Sequence, residues 1–340
     1  MKVAQVMGGN EEGGLEKHFV ELCNGLVAQG VEVVAIAHPK YANRFLPEVT
    51  FEPVDMAQGR RNPFALYELY KALSRQHVDV LHAQAGKAVA MVNTLLPWLK
   101  LPAVATQHNI KSSQSYQRFA DVIAVSEAVA SAIPHEQPII IHNGISPPER
   151  ASRDVLEALR VALALPNGPV FLSVARLVPA KGLDLLLEAW GQINCAGILL
   201  LVGDGPERAS LEAQAAKLNL SHRVRFLGQR DDISVFISLA DALLISSHRE
   251  GGPYTLTEAL LLECPVLSTC VGMVPDYLPV QFICTPSQPE ALTELLRAHL
   301  ANPANLREKQ RAVFADAREK LTLAAMVKAN IVVYERVLSS

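Results

Sequence analysis

Two glutamates eight positions apart, Glu250 and Glu258, bracket two glycines, a proline and three hydroxyl-bearing side chains in HREGGPYTLTEALLLECPV, residues 248–266. The second opens the apolar run Ala259-Leu260-Leu261-Leu262, which predicts a buried helix. Carboxylates accept hydrogen bonds from sugar hydroxyls, and a glycine turn at a helix start offers backbone N–H groups to a phosphate. A narrower reading covers part of this. Thr255-Leu256-Thr257-Glu258 fits the capping-box pattern S/T-x-x-E, in which Glu258 satisfies a free N–H at the helix start. It accounts for Glu258 but not for Glu250 or Gly251-Gly252.

Three other stretches carry chemistry. In VARLVPAKG (174–182), Arg176 and Lys181 lie between a strand end and a helix start. There they offer a diphosphate one fork-like and one point-charge contact. VGDGP (202–206) is a glycine turn at a strand end, suited to close ligand approach. GGNEEGGLEKHF (8–19) joins the first strand to the first helix. Its Gly8, Gly9, Gly13 and Gly14 do not form G-x-G-x-x-G, and Glu11 and Glu12 would repel phosphate. No D-x-D-type metal site is evident. The five cysteines, Cys23, Cys195, Cys264, Cys270 and Cys284, are odd in number and have no C-x-x-C spacing. They read as core thiols of a reducing compartment.

The elements that must position these residues alternate between strand and helix throughout. KVAQVMG, VEVVAIAH, VDVLHAQ, PAVATQHN, DVIAVS and PIIIHNGI are strand-like. Between the first two, Phe19, Leu22, Cys23 and Leu26 keep helical spacing up to a stop at Gly30. NGISPPER (143–150) breaks the pattern and reads as an interdomain linker. Alternation restarts with PVFLSVAR and continues through GILLLVGDG, RVRFLG, DALLISS, PVLST and QFICT to three closing helical segments. The prediction is α/β: two doubly wound halves, each a parallel sheet covered on both faces, with ligands beyond the C-terminal strand ends.

Charge narrows the function. Residues 1–143 carry 12 Lys+Arg against 13 Asp+Glu, and the remainder carries 19 against 21. Neither half is basic, so nucleic acid is not expected as a partner. MKVAQVMGG does not read as a signal peptide. The longest segment that suggests a membrane span, the uncharged AVAMVNTLLPWL (88–99), is shorter than the roughly 20 residues that cross a bilayer. A cytoplasmic protein is expected. That stretch, with Arg60, Arg61, Lys87, Lys100, Lys111 and Arg118, suggests contact with the cytoplasmic face of the inner membrane without insertion; near-balanced charge makes docking weak.

Taken in order, GGLE, RLVPAKG, VGDGP, EGGPYTLTEA and PVLSTCVGMVP resemble the GT-B retaining glycosyltransferases of family 4. The resemblance covers nearly the whole chain and is strongest across 170–276. It implies two Rossmann-like domains facing across a cleft: an acceptor-binding domain at 1–145 and a nucleotide-sugar-binding domain at 146–321. A C-terminal helix at 322–340 returns toward the first. By the same resemblance, Gly13 and Gly14 approach the donor, and Arg176 and Lys181 neutralise the leaving diphosphate. Glu250 faces the transferred sugar and Glu258 holds the ribose. The N–H groups around Tyr254 and Thr255 support phosphate beside Gly252, and His108, in ATQHN, lies beside the sugar. The implied reaction moves a sugar from a nucleotide-sugar donor, a UDP-sugar first and GDP-mannose next, to a glycan or lipid-linked glycan of the cell surface. It needs neither metal nor cofactor. Gly252 stands where a bulkier residue is frequent, Pro253 supplies no N–H, and Met273 replaces a common glycine; these departures bear on sugar identity. An NAD-dependent oxidoreductase would want the dinucleotide fingerprint that the first loop lacks. A nucleotide-sugar 2-epimerase shares the two-domain shape, but the paired glutamates and paired cations argue for transfer.

Overall fold

A computed structural model of the chain describes residues 1–11, 13–110, 114–135 and 137–339. Glu12 and Lys111 lie outside the described residues. The chain forms two compact units, Met1–Ser146 with Lys320–Ser340, and Pro147–Glu319.

The first unit holds β1 (Lys2–Met7), β2 (Glu32–Ala37), β3 (Thr50–Pro53), β4 (Val80–Gln84), β5 (Ala103–Gln107), β6 (Asp121–Ala124) and β7 (Ile139–Ile140). They form one sheet in the order β3-β2-β1-β4-β5-β6-β7. Every pairing is parallel, with Val3 opposite both Val33 and Val80. Helix α1 (Gly14–Ala28) buries Phe19, Leu22, Cys23 and Leu26, the residues that its spacing singles out. Gly30 then turns at φ +79, and its N–H donates to the Val27 carbonyl. Helices α2 (Pro63–Gln76) and α3 (Ala85–Leu99) share a core with residues of one sheet face. α2 starts where Asn62 Oδ1 accepts from the N–H groups of Phe64 and Ala65. Half of the uncharged stretch 88–99 is the inner face of α3, with Ala88, Val89, Met91, Val92, Leu95 and Leu96 buried. No described helix is long and apolar enough to cross a membrane.

The other face of this sheet is covered by α1 and by the last helix, Leu323–Ser339. Met326, Val327, Val333, Tyr334 and Val337 share a core with Phe19 and Leu22. The return implied by the family resemblance is thus a structural contribution, completing the core of the first unit. The edge strand β3 has no counterpart in the pattern reading. Its four residues, TFEP, are only half-buried or exposed and show no apolar alternation.

The second unit holds β8 (Val170–Val174), β9 (Ile198–Val202), β10 (Val224–Phe226), β11 (Ala242–Ile245), β12 (Val266–Thr269) and β13 (Ile283–Cys284), in the order β10-β9-β8-β11-β12-β13. All pairs are parallel. Trp190, Phe171 and Phe282 are among the largest side chains buried in this unit. A helix at Arg153–Ala162, with Ser152 as its cap, stands just past the expected linker and has no fully buried residue. Four helices rather than three follow β13, because Pro303–Lys309 is a short helix set against Arg311–Lys320. Of the cysteines, Cys23 and Cys264 are buried and Cys195 and Cys284 half-buried, but Cys270 is exposed, contrary to the reading of all five as core thiols.

Candidate active site

In each unit the strand order reverses beside the first strand, between β1 and β4 and between β8 and β11. In such sheets the C-terminal ends of the strands flanking this point form a ligand crevice. The sequence candidates fall there. Arg176 and Lys181 follow β8, and Glu250 follows β11. Gly13 and Gly14 follow β1, and His108 follows β5, next to β4.

In the second unit the β8 loop turns through Pro179–Lys181 to Gly182, which adopts φ +57 and caps the helix Leu183–Gln192. A side chain at Gly182 would collide with the Ser246 carbonyl, so positive φ and close backbone approach both require glycine here. Two hydrogen bonds tie the β11 loop to this turn. The His248 N–H donates to the Ala180 carbonyl at 2.9 Å, and Ser246 Oγ donates to the Lys181 carbonyl at 3.0 Å. On its other side, Thr269 Oγ1 donates to the Ser247 carbonyl at 2.7 Å and the Met273 N–H to the Gly251 carbonyl at 3.0 Å. Gly272, at φ +51, lies so close to the Gly251 carbonyl that a side chain could not fit.

This clamped loop sets Glu250 against Lys181. Glu250 Oε1 accepts from Lys181 Nζ and, at 2.9 Å, from Ser247 Oγ. The two side chains are 15% and 26% exposed, so the pair is sheltered but open to a ligand. The sequence reading separates their jobs; the structure couples them. Arg176 is exposed, and no described residue holds its guanidinium.

The helix after the glycine turn runs Tyr254–Leu261 and starts at Pro253, which gives it no side-chain cap. The capping-box reading of Thr255 and Glu258 is therefore wrong. Both lie inside the helix, Thr255 in its first turn and Glu258 in its second. Of the first-turn N–H groups, that of Leu256 donates to the Pro253 carbonyl at 3.1 Å, while those of Tyr254 and Thr255 come before the i→i−4 ladder begins, at the positive end of the helix. Gly252 is half-buried beside them. The glycines of VGDGP have a backbone neighbour of their own. Side chains at Gly203 and Gly205 would strike the carbonyls of Ala175 and Leu177. The 203–205 turn therefore supports the loop that carries Arg176.

In the first unit Gly13 caps α1 and Gly14 is its first residue. The preceding turn is held by Lys40 Nζ and Tyr41 Oη, which donate to the carbonyls of Asn10 and Glu11. Beneath Gly9 and Gly13 sits the carboxylate of Glu16, a residue only 5% exposed. His108 is half-buried, with Nε2 2.9 Å from Gln84 Oε1 and its ring edge-on to His18 at 4.7 Å. Burial, with a smaller effect from His18 and His82, pushes its pKa well below the ordinary histidine range. Burial likewise takes His18 down to about 4, against a weaker upward pull from Asn143, and His82 to about 3. The cluster is neutral at physiological pH. Of these residues the sequence reading names His108 alone. A signal for the others exists: strands of a covered parallel sheet read as continuous apolar runs, and His82 and Gln84 interrupt VLHAQ at alternate positions.

Among the described residues no group of three or more His, Cys, Asp or Glu could hold a metal. Two doubly wound sheets with an arginine, a lysine–glutamate pair and an uncapped helix start at one switch point define a GT-B glycosyltransferase. Residues 12–148 match the model for Glycosyltransferase Family 4, and residues 155–319 the model for Glycosyl transferases group 1. The lipopolysaccharide core biosynthesis glycosyltransferase LpsE of Rhizobium meliloti is 30% identical over 285 residues, 79% of each chain. Anabaena HepE, solved with UDP, aligns at a TM-score of 0.86 over 99% of this chain and 100% of its own, at 20% identity. The HepE structure with UDP-glucose aligns at 0.83 over 100% and 99%, at 21% identity. The chain belongs to the family 4 glycosyltransferases.

Proposed function

We propose that this glycosyltransferase moves a sugar from a nucleoside diphosphate sugar, a UDP-sugar in the first instance, to a hydroxyl of a cell-surface glycan such as lipopolysaccharide core, with retention at the anomeric carbon. The observation that carries the reading is the β8–β11 switch point. An exposed Arg176, the Lys181–Glu250 pair and the start of the 254–261 helix lie at one end of one sheet. The difficulty of the reaction is the departure of a diphosphate. Arg176, Lys181 and the helix-start N–H groups of Tyr254 and Thr255 stabilise the charge that develops, without reorganising as it forms. Glu250 accepts from the transferred sugar and Glu258 from the ribose. Because Arg176, Lys181 and the helix start carry that charge, no divalent metal is needed, and the leaving phosphate itself takes the acceptor proton on the face from which it departs. His108, neutral, accepts a hydrogen bond from a substrate hydroxyl. LpsE acts in lipopolysaccharide core biosynthesis and HepE binds UDP-glucose; both support the donor and acceptor classes.

The same reading puts the enzyme at the cytoplasmic face of the membrane. Support comes from Phe64 and Tyr67 on α2 and Trp98 on α3, which are 80%, 61% and 65% exposed, with Arg60 and Arg61 just before α2. Trp and Tyr favour the lipid–water boundary, and arginines attract anionic headgroups. Binding to anionic vesicles at low salt, lost in a Phe64→Ser/Trp98→Ser double variant, is the expected result.

A screen of UDP- and GDP-sugars with EDTA present tests the reaction. Release of nucleoside diphosphate from one donor, with the product anomer matching the donor, is expected. Activity that EDTA abolishes and Mg²⁺ or Mn²⁺ restores would overturn metal independence. Accumulation of an epimerised nucleotide sugar would overturn transfer.

A further inference from the structure

Beneath the first-unit site runs a chain of buried polar side chains. Gln5, His82 and Tyr334 are 0% exposed, Gln84 1% and Thr106 2%. They come from β1, β4, β5 and the last helix. In such a place each donor must meet an acceptor, because an unpaired polar group costs about 1–3 kcal/mol.

The chain has a direction. An amide nitrogen only donates and an amide oxygen only accepts. Gln5 Nε2 lies 2.8 Å from Tyr334 Oη and donates to it. The Tyr334 proton is then free for His82 Nδ1, 2.7 Å away. That makes Nδ1 an acceptor, so His82 carries its proton on Nε2 and gives it to Thr106 Oγ1 at 2.6 Å. On the other side of Gln5, its oxygen accepts from Gln84 Nε2 at 3.1 Å. Gln84 Oε1 is thereby left to accept from His108 Nε2 at 2.9 Å. For that bond His108 must carry its proton on Nε2, which leaves a lone pair on Nδ1.

We infer that Gln84, Gln5 and Tyr334 are positioning residues that hold His108 as the Nε2–H tautomer, with Nδ1 presented as an acceptor. Tyr334 ties the sense of the chain to the last helix, more than two hundred residues further along the sequence. With both amides turned over, the reverse sense would run from Thr106 to His108 and put the proton on Nδ1. Burial of the cluster keeps all three imidazoles neutral, so the tautomer and not the charge is what the chain selects. The bearing on the reaction rests on the role proposed above for His108. The tautomer is measured without substrate, so failure of one is separable from failure of the other.

The test is long-range ¹H–¹⁵N correlation on the full chain with ¹⁵N-labelled histidine, His108 being assigned by its loss in His108→Asn. A protonated Nε2 and an unprotonated Nδ1 are expected from pH 8 to 6. Gln84→Met removes the acceptor and should give a mixture of tautomers. Tyr334→Phe leaves Gln5 Nε2 only its 3.3 Å approach to His82 Nδ1, so it should give a smaller Nδ1–H fraction than Gln84→Met. Cooperative melting of each variant shows that it folds, and if Tyr334→Phe does not, the wild-type and Gln84→Met spectra decide. A wild-type His108 protonated on Nδ1, or a folded Gln84→Met with the wild-type tautomer, overturns the inference. A shifted tautomer with unchanged turnover upholds it and removes His108 from the proposed reaction.

Discussion

At the scale of the residue, the Lys181–Glu250 pair changes what substitution should do. A partly exposed ion pair adds little stability by itself. Its effect here is compensation: the ammonium meant for the diphosphate already shares a carboxylate. Glu250→Gln should therefore leave UDP affinity unchanged or a few-fold tighter while turnover falls. Lys181→Ala should weaken UDP and lower turnover by roughly 10²–10³, the usual cost of one transition-state donor. Calorimetry with UDP beside donor kinetics separates the two, and equal loss of UDP affinity in both variants would contradict the division. The buried histidines give a second prediction. An unfolded imidazole titrates near 6.5, whereas folded His18 and His82 refuse protons until about pH 4 and 3, and His108 is lowered in the same direction. The unfolded state thus binds more protons below pH 6.5. Stability is full above that value and falls as pH drops toward 4, with a slope near pH 5 of roughly 1.4 kcal/mol per pH unit for each of His18 and His82. Urea titrations at pH 7, 6 and 5 should show this, and a flat profile would refute it.

At the scale of the element, the loops are fixed by backbone contacts that only glycine permits. Gly30 and Gly182 both have positive φ, but Gly30 has open space around it and Gly182 faces the Ser246 carbonyl. Gly30→Ala should cost about 1–2 kcal/mol for the left-handed conformation alone. Gly182→Ala should cost more and lower turnover, because the displaced Ser246 carries the loop with Glu250. Melting curves and kinetics on the two variants make the comparison; equal effects would show that the contact is unimportant. This layer is only partly readable in one dimension. Parallel strands and α1 can be read because both depend on apolar spacing, and the switch-point location of Arg176, Lys181 and Glu250 follows from strand ends. The support of Ala175–Leu177 by Gly203 and Gly205 cannot be read so, since a glycine that meets another backbone looks the same as one that meets a ligand. Nor can the start of the 254–261 helix: Pro253 ends the turn and displaces the capping signal at Thr255. His82 and Gln84 mark a polar interior, but their partner Tyr334 lies on a helix with no local tie to them.

At the scale of the molecule, the first unit is built from both ends of the sequence. The last helix buries Met326, Val327, Val333, Tyr334 and Val337 in its core, and the methionine and the three valines alone are worth about 1.5–3 kcal/mol each. Removing residues 321–340 should therefore unfold or precipitate the first unit, with loss of its near-ultraviolet signal. A truncated chain as soluble and cooperative as the whole would show the helix to be dispensable. The discontinuity also has a consequence in time. A ribosome adding 5–20 residues per second needs roughly 10–40 s to pass from residue 146 to 340. Throughout that interval the nascent first unit presents an open apolar face beside Phe19 and Leu22, while the second unit has all its residues in one run and can fold as it emerges. Synthesis thus reverses the order of the sequence: the later unit matures first. The earlier one waits as a client for chaperones until residues 323–339 arrive to close it.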